Sequence, residues 1–96
     1  MKTSFGELEI LLKAGSAPMV EYLKFSKNGR PHQHEEFESF FTTKGSGVVV
    51  VGETRHAVKP GSLVVIAPNE PHWMEPSPNE TLEGLLWYHK EKLNLV

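Results

Sequence analysis

Turn-forming residues recur along this chain at short, even intervals, a spacing that leaves room for strands but for no substantial helix. Lys59-Pro60-Gly61-Ser62 sets Pro and Gly at the central positions of a type II turn. Gly52-Glu53, with Gly first, separates Val48–Val51 from Thr54–Val58 as a two-residue hairpin loop would. Asn28-Gly29 is a favoured hairpin dipeptide and predicts a further tight turn. Gly45-Ser46-Gly47 follows the aromatic segment Phe37–Phe41, while Ala67–Pro71 and Pro76–Asn79 are loops broken by proline. Between these signals lie the β-prone runs Met19–Phe25, Phe37–Thr43, Val48–Val51, Leu63–Ile66 and Leu82–His89. Leu8, Ile10, Leu11 and Leu12 fit a short helix or an edge strand, and the edge strand is favoured because no helical stripe develops elsewhere. Six or more short strands joined by tight turns point to an all-β sandwich or small barrel.

Ninety-six residues suit one domain, 1–96, with a small core that dimerisation or a bound metal would help to stabilise. The net charge of −2 and the dispersed Lys and Arg residues argue against nucleic acid as a partner. No cysteine is present, which removes disulfides and thiolate metal sites and fits a reducing cytoplasm. Met1–Leu12 does not read as a signal peptide, and the apolar run Val48–Val51 is too short to span a bilayer.

The chemistry concentrates in His32-Gln33-His34, Glu38 and His72. Side chains alternate along a strand, so His32, His34 and Glu38 share one face if the strand runs without a bulge. The neighbouring Phe37, Phe40 and Phe41 predict burial, and a buried charge needs a partner or a metal. His72 adds a third imidazole after the short apolar strand Leu63–Ile66. Three imidazoles and one carboxylate with open positions suit one divalent transition metal ion, whether Mn, Fe, Co, Ni, Cu or Zn.

His32-Gln33-His34, three residues, Glu38, six residues and Gly45 reproduce the first sequence motif of the cupin superfamily. Gly61, followed after five residues by Ala67, Asn69 and His72 at the Pro, Gly and His positions, resembles the second, with Pro76 where that motif carries Asn. Ser26 stands where the family has a further Gly six residues before the first His. The two motifs, separated by Ser46–Pro60, cover roughly Gly29–Pro76, and the chain resembles a small single-domain, cupin-2-type protein. The resemblance implies an antiparallel jelly-roll β-barrel with a metal inside it, bound by His32, His34, Glu38 and His72. It also implies dioxygenase, isomerase, epimerase or decarboxylase chemistry on a small organic molecule.

Glu36 shares parity with Glu38 and is the alternative carboxylate, although a solvated charge is the plainer reading, as it is for Glu35. His56 reads as a rim or surface residue, and His89 as the polar end of a closing strand that is within reach of the pocket. Trp73, Met74, Trp87 and Phe40 are candidate pocket walls, with core packing the plainer reading of each, and Arg30 is either a solvated turn residue or a contact for an anion at the barrel mouth. Three functions follow: a metal-dependent enzyme, a metal-containing small-ligand-binding or sensing protein without catalysis, and a metal that only staples the fold. Open coordination positions disfavour the third. Exposed strand edges lead to the expectation of a homodimer, with Ser4–Leu12 exchanged between copies.

Overall fold

The computed structural model describes residues 1–92, and among these every regular element is a strand. The strands are β1 (Gly6–Ala14), β2 (Ala17–Phe25), β3 (Phe37–Gly45), β4 (Gly47–Val51), β5 (Thr54–Val58), β6 (Leu63–Ile66), β7 (His72–Pro76) and β8 (Leu82–His89). They form a five-stranded sheet in the order β1-β2-β8-β3-β6 and a three-stranded sheet in the order β5-β4-β7. Every pairing is antiparallel, as in a jelly roll, and the sheets face each other without closing fully. No helix among the described residues is long and apolar enough to cross a membrane.

Alternation fixes which side chains fill the space between the sheets. Leu23 and Phe25 of β2, Phe40 of β3, Val49 of β4, Ile66 of β6, Met74 of β7 and Leu82 and Leu86 of β8 form one buried cluster. Phe25 stacks on Phe5 at 4.4 Å and meets Phe40 edge-on at 6.2 Å. The turns follow their local chemistry. Gly52 has φ 58° in the β4–β5 loop, and Gly61 has φ 95° in a turn closed by the Ser62 amide donating to the Lys59 carbonyl. Gly45 has φ 80°, and a Cβ there would overlap the Thr81 carbonyl oxygen.

Asn28-Gly29 does not make the expected hairpin. Neither residue has a positive φ, and β2 pairs with β1 and β8, not with the next strand in the chain. The segment instead leaves the five-stranded sheet, runs along the β7 edge of the three-stranded sheet and returns to β3 of the sheet it left. The Gly29 amide donates to the Met74 carbonyl at 2.8 Å, and His32 and His72 exchange backbone hydrogen bonds at 3.1 and 2.9 Å. Strand β7, which flanking prolines disguised as loop, is the edge this segment runs along. Within the chain, β1 pairs with β2 from Gly6 to Ala14 and forms one edge of the five-stranded sheet.

Candidate metal centre

Three different pieces of backbone deliver the four residues. Glu38 comes from β3, on the inward parity of Phe40, and His72 opens β7. His32 lies on an isolated bridge to His72, and His34 in the following loop, pinned by the Asn69 amide donating to its carbonyl at 2.7 Å. One continuous strand carrying His32, His34 and Glu38 is therefore not what the chain builds. A bend at Glu35-Glu36 separates the histidines from β3. The convergence nevertheless occurs, and one donor atom from each of the four residues lies within 4.8 Å of the others.

Glu38 is the centre of the cluster. Its Oε1 lies 2.9 Å from His34 Nε2, 3.1 Å from His72 Nε2 and 4.0 Å from His32 Nε2. Glu38 and His72 are fully buried, His34 is partly exposed, and half of the His32 side chain is accessible. The far side of each imidazole fixes the tautomer of its neutral form. Nδ1–H of His32, His34 and His72 donates to the carbonyls of Arg30, Glu36 and Glu70 at 3.0, 3.0 and 2.8 Å. A carbonyl oxygen only accepts, so the proton of a neutral ring sits on Nδ1 and the Nε2 lone pair is bare.

Three bare lone pairs aimed toward a carboxylate repel it unless a cation lies among them. Glu38 Oε2, also buried, has no hydrogen-bond partner among the described residues. Both facts fit a metal ion, with Nδ1–H to carbonyl bonds orienting the ligands from behind. Protons can substitute in part. Burial pushes Glu38 up, but hydrogen bonds from His72 and His34 and the charges of His72 and His32 outweigh it and hold Glu38 below its ordinary 4.5. Burial likewise pushes His72 down, but the hydrogen bond and charge of Glu38 and the Glu70 carbonyl leave it above 6.5.

A cavity of about 290 Å³ adjoins the cluster, with His32 in its wall. Phe5, Leu8, Leu23, Phe25, Met74 and Leu86 make most of the wall apolar. Of the residues weighed from sequence between packing or solvent and the pocket, Trp73, Met74 and Arg30 line the cavity. Phe40 packs in the core, and Trp87 has the opposite parity to the cavity-lining Leu86 and Tyr88. Glu35, Glu36 and His56 are exposed. His89 does not reach the pocket: its Nε2 meets Ser39 Oγ at 2.9 Å, and its ring stacks on Phe37 at 5.4 Å. Sequence reasoning missed Glu21 and Tyr88, both in the cavity wall. The available signal was an acidic residue at Glu21, on the parity of Leu23 and Phe25.

The sequence matches the AraC-like ligand binding domain family over residues 24–89. None of the curated proteins is significantly similar in sequence. Among solved structures, a cupin-like protein from Thermotoga maritima superposes with a TM-score of 0.79 at 21% identity, over 94% of this chain and 79% of that one. A predicted oxalate decarboxylase from the same organism gives 0.78 at 24% identity, over 88% and 79%. The polyketide cyclase RemF from Streptomyces resistomycificus gives 0.65 at 24% identity, over 78% of this chain and 56% of that one. At these identities the likeness carries the fold. The motif matched over most of the strands, the two facing antiparallel sheets and the His and Glu cluster between them agree: the chain belongs to the AraC-like ligand binding domain family, within the cupin superfamily.

Proposed function

We propose that this chain holds one divalent transition metal through His32, His34, Glu38 and His72 and acts on a small organic molecule in the adjoining cavity. The observation that carries this reading is the convergence of three Nε2 lone pairs and an unpartnered buried carboxylate oxygen beside an apolar chamber. When bound, such an ion supplies Lewis acidity and, for a redox-active metal, electron transfer. The chain's own groups do the rest. The carbonyls of Arg30, Glu36 and Glu70 fix the imidazole tautomers, Glu38 supplies negative charge, and the apolar wall limits water.

Four protein donors would leave positions free on an ion that takes more than four ligands, and the half-accessible His32 in the cavity wall supports substrate approach from that side. An open site favours a metal-dependent enzyme of the dioxygenase, isomerase or lyase type over a structural staple. The family's ligand-binding description favours the second reading, a sensor or carrier that performs no chemistry.

Metal analysis of protein purified without a His-tag tests the first step, with one equivalent expected in the wild type and a loss in His72→Ala. A full complement in His72→Ala would refute the site. Oxygen uptake and product analysis across diols, thiols and enols then separate enzyme from binder. Turnover that disappears on chelation supports the enzyme, and tight binding without turnover supports the carrier.

A further inference from the structure

The cavity contains one acidic group that the metal cluster does not use. Glu21 lies on β2 with the inward parity of Leu23 and Phe25 and is only 7% exposed. Among the described residues its one hydrogen bond comes from the Tyr88 hydroxyl, 3.5 Å from Oε1, at the outer limit for such a bond. Arg30 lines the same cavity but forms no ion pair with it. A carboxyl group so enclosed is costly unless something donates to it. Tyr88 links it to the metal cluster, because its ring meets that of His34 edge-on at 5.3 Å while its hydroxyl faces Glu21.

The cavity's size and wall limit what can do the donating. At about 290 Å³ it is nearly twice the roughly 150 Å³ that accommodates benzene in an apolar protein cavity. It has room for one substituted six-membered ring. Burial, and then the charge of Glu38, push the Glu21 carboxyl above its ordinary 4.5, while Tyr88 pulls it back. Glu21 is thus a group that a bound donor would settle.

We infer that the cavity takes a single-ring apolar molecule bearing a hydrogen-bond donor, an amine or a hydroxyl, which Glu21 receives while the far side of the ring faces His32. This rests on reading the cavity as the ligand chamber of the metal centre. Tyr88 is a positioning residue that holds Glu21 toward the ligand.

The test uses the full chain, with and without bound Zn²⁺, and four probes: benzylamine, benzyl alcohol, benzyl methyl ether and benzoate. Binding is followed by NMR on protein carrying ¹³C at the glutamate side-chain carboxyls. The amine or the alcohol should bind about tenfold more tightly than the ether, the value of one hydrogen bond to a charged group. The stronger of the two identifies the donor. Glu21→Gln should remove that advantage and leave the ether's affinity within about twofold. The Glu21 carboxyl resonance of the wild type should move on binding, a readout that needs no variant. Equal affinities, tightest binding by benzoate, an unmoved Glu21 resonance or no binding by any probe would each overturn the inference. Zn²⁺ stoichiometry, measured on the same samples, reports on the metal centre separately.

Discussion

Each imidazole of the cluster is held from behind by a carbonyl two residues away, so in the neutral ring the nitrogen facing Glu38 is an acceptor, and it donates to Glu38 only when the ring is protonated. That makes Glu38 the residue on which the centre depends. Glu38→Gln keeps shape and volume but replaces a charged ligand with a neutral amide. Because changes merely behind a ligand cost 10–100-fold in metal affinity, loss of this one should cost more than about 100-fold. Titration with Zn²⁺ against a competing chelator measures it, and an unchanged affinity would exclude Glu38 from the site. The identity of the four residues was legible in the sequence, but the reason they meet was not. Strand parity placed His32, His34 and Glu38 together, whereas the chain bends at Glu35-Glu36 and delivers the histidines from a connection docked along β7. That docking is a contact between residues forty apart in sequence, His32 and His72, which local periodicity does not encode. Glu21 shows the converse, since its inward parity was readable but nothing local gave it a role.

At the scale of elements, turns whose residues require a particular φ were legible, and those set by tertiary contact were not. Gly52-Glu53 and Pro60-Gly61 form the turns their dipeptides specify. Asn28-Gly29 has the same local preference, but it is overridden: a Cβ at Gly29 would press on the Phe25 ring at 3.3 Å and the Met74 amide at 3.6 Å. That glycine serves close approach, not a turn. The β1–β2 hairpin extends past its neighbour, since β8 pairs with β2 only from Val20 to Phe25. Met19 lies on the overhang and Leu11 and Leu12 at its base on β1, and the three are exposed at 39%, 49% and 53%. We propose that this overhang, with the open edge of β1, is where a second copy docks. The wild type should then be a dimer by light scattering at micromolar concentration, and Leu11→Glu with Leu12→Glu should make it a monomer with unchanged circular dichroism. A monomeric wild type would remove the proposal.

For the molecule as a whole, a metal held as proposed should change how stability depends on pH. In the metal-free protein, Glu38 lies below its ordinary 4.5, so its contribution is present above that pH and is lost as pH falls through the folded value. His72 lies above 6.5, so its contribution is full below that pH and is lost as pH rises through the folded value. Both are full together between about pH 4.5 and 6.5, where a proton bridges His72 and Glu38, and each fades beyond its own end of that window. Glu21 works against this from the lower end of that window upward. Its value is raised, so its contribution fades as pH rises above 4.5, and Glu21→Gln should flatten that decline. Metal needs the imidazoles neutral and competes with the same protons, so its stabilisation grows as pH rises. Metal at about 100 times its dissociation constant adds about 2.7 kcal/mol, and 1 kcal/mol shifts the midpoint of a domain this size by about 4–8 °C. Thermal unfolding should therefore show a metal-free optimum in mild acid. Excess Zn²⁺ should raise the midpoint by about 10–20 °C at pH 7.5, with the gain gone near pH 5. A metal-induced shift of equal size at both pH values would mean that the ion binds elsewhere than among His32, His34, Glu38 and His72.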